Sequence, residues 1–481
     1  ALRSGRRAAE GAAPSASSER TTAPAKTAPA PATAASSAAH AEGGVEWRSE
    51  LPTQSEQRWP FWPVLPIAPY ERKKTLRREL VPGEVWSFEQ KQGIYYVHIP
   101  IRMTVYKMRE RRGLFVYAPV APTDECVRLL KELEAEHGEV AYIVLPTLAV
   151  EHKYVVGPFA QVFSRAEVWV CPGQFSVPPA PLELLGFPAD RLRVLPEDPR
   201  DASLPEDWRR EGIDYRVLGP IGKDLPIGFA EVVFYLKPLK ALLVCDLVLS
   251  VPAEIPDIVR EDPRGLVFHA RDGPLSEPDA SPEALARGWR RICIFALMFG
   301  TSAIDTQNVI EATRDAMKSP AKELGWSGYL PCNYVERWEE TFNALRGGSD
   351  GTGGLLVPPI LSELVLNRYL SKDVYPFIQD ITRSWSDMEL VIPAHFEAPV
   401  TAGAQDVRAA FARAFGEPPL ELFGLELPGF LVQSPPPGPQ PKEADLEFIR
   451  DIAKFFTFIG TVDPPERLTY LAGLEQQTEG K

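Results

Sequence analysis

The chain has 481 residues, 44% hydrophobic and 24% charged, enough apolar material for a large core or several smaller ones. Its net charge of −13 excludes a nucleic-acid binder that works by neutralising phosphates. Its five cysteines (Cys126, Cys171, Cys245, Cys293, Cys332) include no CxxC pair, which excludes a disulfide framework and a zinc knuckle and suits a reducing compartment.

Residues 1–46 are Ala, Ser, Thr and Pro with scattered arginines. Through Ala41 there are five basic residues (Arg3, Arg6, Arg7, Arg20, Lys26) against two acidic ones (Glu10, Glu19). So little apolar surface cannot offset the entropy of ordering, and an acid-poor leader of this kind predicts a disordered, transit-peptide-like segment. It implies a chloroplast or plastid location, in the stroma or at the thylakoid surface. Residues 47–82 follow as an aromatic, proline-braced arm. The basic runs at 71–79 and 107–112 are interrupted by acids and read as solvated surface.

Strands are predicted at 83–90, 94–108 and 114–121, where β-branched and aromatic residues dominate. Thr123 reads as the N-cap of a helix with Val127, Leu130 and Leu133 on one face. A strand at 139–146, a helix at 151–165 and a strand at 167–173 come next. A hairpin then pairs 230–237 with 241–251. Pro282, following Ser281, starts a helix that runs to 299. The segment "GGSDGTGG" (347–354) lacks the GK[ST] of a phosphate loop and reads as a linker. A strand at 388–396 and a helix at 405–415 close the main domain, placed at 83–415 with a helical insertion at about 282–385. A proline-rich linker (416–442) leads to a C-terminal helix and tail (443–481), with Leu446, Ile449, Ala453 and Phe456 on one stripe. No uncharged apolar run approaches the ~18–20 residues of a membrane span. A peripheral membrane or protein-complex contact stays open, with no partner specified.

There are six histidines: His40, His98, His137, His152, His269 and His395. Glu151-His152, Asp246 and His395 each follow an apparent strand, and such ends can converge on one sheet edge as a mixed imidazole and carboxylate set for a borderline cation. His269 in "LVFHARDG", His98 in mid-strand and Cys245 beside Asp246 read as structural.

The blocks "IPIRMTV", "VYAPVAPTDECVRLL", "YIVLPTLAVEHK", "ALLVCDLVLSVP" and "VIPAHFEAP" occur in one order across residues 57–415. They resemble domain-of-unknown-function family 4336 of cyanobacteria and plastid-bearing eukaryotes, within the metallo-β-lactamase-like superfamily. The resemblance implies an α/β (α+β) fold, an αββα sandwich, here with a helical C-terminal extension. It also implies where metal ligands would stand. On the superfamily's H-x-H-x-D-H loop, Thr147 and Ala149 occupy the first two histidine positions, Glu151 the aspartate and His152 the last histidine. No histidine lies between His152 and His269, so the first metal position is lost. The second maps to Glu151, His152, Asp246 and His395.

Two carboxylates and two imidazoles would suit Zn²⁺, Fe²⁺ or Mn²⁺, or the chain holds no metal and the same residues cap helices and strand ends. The reduced ligand set favours a non-catalytic binding or assembly module. A mononuclear metal-dependent hydrolase and a peripheral subunit of a thylakoid complex are the alternatives. No catalytic residue or organic cofactor is assigned.

Overall fold

In the computed structural model, the apolar runs form strands buried on both faces. The structure describes residues 73–466 apart from 94–95, 111, 176–180, 222–227, 322–323, 325–331, 348–352, 417–420, 423–424, 427–438 and 461. The leader, residues 47–72 of the arm, most of both linkers and the tail beyond 466 lie outside the described residues. The first sheet has seven strands in sequence order: β1 (Leu76–Val81), β2 (Val85–Gln92), β3 (Ile99–Lys107), β4 (Leu114–Tyr117), β5 (Val140–Leu145), β6 (Glu167–Val170) and β7 (Leu192–Val194). The first four are antiparallel and the last four parallel. Parallel neighbours need long crossovers, and α1 (Asp124–His137) and α2 (Val150–Val162) supply two of them. Thr123 caps α1 as its sequence predicts, its hydroxyl accepting from the Cys126 N–H at 3.0 Å.

After α3 (Glu206–Glu211) comes the second sheet, ordered β14-β13-β10-β9-β8. It contains β8 (Ile213–Ile221), β9 (Phe229–Leu236) and β10 (Ala241–Val244), with β13 (Leu390–Pro393) and β14 (Val400–Thr401) arriving from much later in the chain. Alternation along each strand builds the layers. On β4, Phe115 and Tyr117 point to the second sheet and meet Phe234 at 5.4 and 5.8 Å between ring centres. Leu114 and Val116 face the other way, into a core shared with Leu130 of α1 and Val156 of α2.

The helical region begins at α4 (Asp257–Arg260) and α5 (Arg264–Ala270), ahead of the expected 282, because Pro256 and Pro263 stand just before helices rather than breaking them. It continues through α6 (Pro282–Met298), the β11 (Ile304–Thr306) and β12 (Cys332–Tyr334) pair with α7 (Val309–Lys318) between them, α8 (Trp338–Leu345), α9 (Pro359–Leu364) and α10 (Tyr375–Ser384). Then come α11 (Ala404–Phe415) and α12 (Glu443–Phe458). Ile378 and Ile381 of α10 with Val407 and Phe411 of α11 cover the outer face of the second sheet. The layering is helix, sheet, sheet, helix: the αββα sandwich expected. Leu266, Trp289, Ile292 and Ile449 belong to a further core built by the helical region. No helix among the described residues is long and apolar enough to cross a bilayer.

Leu76–Val81, assigned from sequence to the arm, instead forms the edge strand of the first sheet. Its charged side chains suit an edge: Arg78 pairs with Glu89 at 2.7 Å and Arg77 with Glu132 at 3.1 Å.

Helices α5 and α6 pack so closely that a Cβ on Gly288 would stand 2.0 Å from the Leu266 carbonyl oxygen. Gly288→Ala is therefore expected to cost about 1–3 kcal/mol through overpacking. A lowered midpoint of thermal unfolding checks this; an unchanged midpoint would mean that the helices separate freely.

Candidate metal centre

Three connections bring the candidate ligands to one end of the sandwich. β10 and β13 are parallel neighbours with Val244 opposite Pro393. Asp246 and His395 each follow two residues beyond that last pair, so they leave the same sheet edge together. The loop after β5 crosses between the sheets: Thr147 bridges Glu231, and Val232 N–H donates to Pro146 O at 2.7 Å. That crossing delivers Glu151 and His152 in the first turn of α2.

His152 Nε2 stands 3.4 Å from His395 Nε2, and His395 Nε2 stands 3.3 Å from Asp246 Oδ1. Donor atoms of Glu151, Asp246 and His395 all lie within 4.8 Å of one another. Three of the four sequence-assigned residues thus form one group, and His152 adjoins it through His395. A tetrahedral ion with bonds of about 2.1 Å holds neighbouring donors about 3.4 Å apart, so the two observed edges fit one ion.

The donor chemistry points the same way. His395 Nδ1 lies 3.1 Å from the Pro100 carbonyl oxygen. A carbonyl only accepts, so Nδ1 carries the proton, and a neutral His395 presents its Nε2 lone pair to the site. That lone pair faces a carboxylate oxygen and a second imidazole, an arrangement that needs a proton or a cation at its centre. With the proton, burial disfavours the charged His395, but the Asp246 hydrogen bond and carboxylate, with Glu151, outweigh it and raise its pKa. His152 is driven the other way, to about 4, by burial and then by His395. Burial also opposes the charge on Asp246, yet His395 and His152 hold its carboxyl below the usual range. Glu151 is pushed up by burial and by the Asp246 charge.

Three supporting residues escaped the sequence reading. Glu231 on β9, fully buried, accepts from the backbone N–H groups of Cys245 (2.8 Å) and Asp246 (2.9 Å) and so fixes the turn that aims Asp246. Burial and the Asp246 charge push its carboxyl up to about 8, against the pull of those N–H bonds. Glu231 is therefore the acceptor of backbone N–H groups at this strand end, a role the sequence offered to Asp246 as the alternative to metal binding. Arg102 on β3 is buried and reaches across to the His395 turn. It donates to Pro393 O (2.5 Å) and Phe396 O (2.6 Å), with its Nε on Glu89 at 2.9 Å. Lys153, next to His152, is buried, donates to Phe175 O at 2.8 Å and lies 4.1 Å from that ring's centre. Glu231 could have been suspected as an acid in the apolar strand "FAEVVFYL"; nothing local marks the carbonyl contacts of Arg102.

Thr147 and Ala149, at the first two positions of the loop, offer no imidazole; the Thr147 hydroxyl accepts from the Ala149 N–H at 3.1 Å. His269 is buried on α5 with Nδ1 3.0 Å from the Tyr334 hydroxyl and takes no part in the group. Cys245 is a buried free thiol at the end of β10.

Residues 82–413 match the model of the family described as domain of unknown function DUF4336. The chain belongs to this family. Among solved structures it is similar to DIM-1 metallo-β-lactamase, at 9% identity over 70% of this chain and 94% of that one, with a TM-score of 0.33. A metallo-β-lactamase from Pontibacter korlensis is 13% identical over 40% of this chain and 83% of its own, with a TM-score of 0.28. The mono-zinc form of FIM-1 from Pseudomonas aeruginosa is 10% identical over 45% and 94%, also at 0.28. No curated protein matches the sequence.

Proposed function

We propose that this DUF4336 chain is a mononuclear metal-binding module that takes one divalent cation, Zn²⁺, Fe²⁺ or Mn²⁺, on His152, Asp246 and His395, with Glu151 as fourth donor. The observation that carries the reading is the 3.4 Å approach of two imidazole Nε2 atoms, one of them aimed by the Pro100 carbonyl. Four protein donors make a closed site, as in structural centres. One arm of the site comes from the loop after β5 and the other from β10 and β13, so a cation there would tie the two sheets at their open end. The module binds and holds; it does not turn over substrate.

A hydrolase is the second reading, favoured by one feature: the Asp246 side chain is 25% exposed, so solvent reaches the site. A cation there would supply Lewis-acid activation of a water. In that case Glu151, its carboxyl raised by burial and by the Asp246 charge, would be the residue to take up the proton of that water.

Elemental analysis of purified full-length protein tests the site. About one equivalent of metal is expected in the parent and a large loss in His152→Ala; less than ~0.1 equivalent in a metal-replete, chelator-free preparation rejects the site. An undiminished content in the variant rejects the ligand assignment. Glu151→Gln separates the readings: a fourth ligand gives weakened metal binding, whereas a base gives full metal and lost hydrolysis.

A further inference from the structure

Helix α12 docks on the body through one side only. Leu446, Ile449 and Ala453 are buried, and buried Asp445 accepts from Ser302 Oγ at 2.5 Å and Thr341 Oγ1 at 3.0 Å. The other side carries large rings into solvent: Phe448 is 50% exposed, Phe455 57% and Phe458 88%. At 3.6 residues per turn, Phe448, Phe455 and Ile459 lie within about 40° of one line, with Phe458 at its margin. The stripe continues onto the end of α6. There Phe299 is half-exposed at φ 60°, a conformation that bulky side chains rarely adopt, and a Cβ on its neighbour Gly300 would touch the Phe448 ring at 2.9 Å. A strained residue presenting a ring to water at the Phe448 end of this stripe marks a surface built for contact.

The spacing names the partner. Phe448 and Phe455 are seven residues apart; so are Glu447 and Lys454, both exposed on the solvated flank of the stripe. Both pairs are centred within one residue of Asp451, whose own carboxylate is met by Lys454 at 2.9 Å in the same helix. A surface symmetric about its midpoint, with opposite charges at matched distances, is complementary to itself under a twofold rotation. An anionic membrane fits poorly, because the flank carries Glu443, Glu447 and Asp451 and the chain a net −13.

We propose that the chain forms a homodimer through this stripe, α12 packing antiparallel on α12 of a second copy. Phe448 then lies against the partner's Phe455 and Glu447 against the partner's Lys454, each contact occurring twice.

Sedimentation equilibrium of the full chain tests this. The parent is expected to be dimeric and Phe455→Glu monomeric, with circular dichroism unchanged because the ring is exposed. Glu447→Lys and Lys454→Glu should each weaken the dimer about tenfold by placing like charges together twice. The double variant should recover, since the reversed pair still meets its opposite across the axis. A parent that stays monomeric across the concentration series, including one that floats with lipid vesicles or captures another protein instead, overturns the proposal. So does a Phe455→Glu dimer, or a double variant as weak as the singles.

Discussion

Arg102→Met, beside the candidate metal site, is expected to lower stability by about 3–5 kcal/mol, as breaking a buried ion pair does. The guanidinium is buried against Glu89, itself buried, and spends its other N–H groups on the Pro393 and Phe396 carbonyls. Its backbone N–H also holds Ala394 O at 2.7 Å. Methionine fills similar volume but leaves two carbonyls without donors and Glu89 with only the half-exposed Arg78 as counter-charge. The turn it holds is not relaxed on its own, since Phe396, one residue past His395, sits at φ 57°. Loss of the clamp therefore frees the turn and with it the imidazole. Arg102→Lys keeps the charge but not the fork, so it should fold and bind metal 10–100-fold more weakly, about the effect of losing an outer-shell contact. Denaturant unfolding and metal titration of the two variants read these effects. Parental stability in Arg102→Met, or parental affinity in Arg102→Lys, would show that the turn holds His395 unaided.

That a buried arginine governs the site explains why the fold was more legible than the machinery. Strands β4, β5 and β9 announce themselves as dense β-branched and aromatic runs because both of their faces are covered, one by the opposite sheet and one by helices. Caps are local, and Thr123 and Ser281 were readable because their partners lie three residues away. β1 hid because an edge strand carries charge: "LRRELV" looks like surface, and two of its six residues are exposed. β8 hid because Gly219 and Pro220 interrupt its alternation. The four candidate ligands were readable for a topological reason, since each stands just past the end of a buried strand, where a layered α/β fold gathers its loops. Their supports were not. Arg102 meets carbonyls 291 and 294 residues away, a pairing that only the folded sheet creates. Glu231 acts on backbone N–H groups, which leave no trace in side-chain identity.

Asp262→Asn is expected to cost about 3–5 kcal/mol at neutral pH, because it removes the anion from a buried cluster that is otherwise cationic. Asp262 accepts both Nε and Nη2 of Arg264 at 2.7 Å and is in contact with the Lys91 ammonium, which is itself largely buried. His98, with its Nδ1 buried, adjoins the cluster, and burial drives that imidazole well below its ordinary pKa so that it stays neutral. Lys73 nearby is held down to about 8, by burial and then by Lys91. The cluster joins β2 to the start of α5, so it fastens the helical region onto the first sheet. Burial opposes the Asp262 charge, but Lys91 and Arg264 overcome it and hold the carboxyl far below the unfolded value of about 3.9. A group whose folded pKa is depressed contributes stability that is complete above its unfolded pKa and lost as pH falls toward the folded one. The gap between parent and Asp262→Asn should therefore be flat from pH 7 to about 5 and close progressively below about 4 as the unfolded chain takes up its proton. Urea unfolding across that range measures it. A gap that persists undiminished at low pH would mean that the asparagine disrupts packing and that the charge itself contributes little.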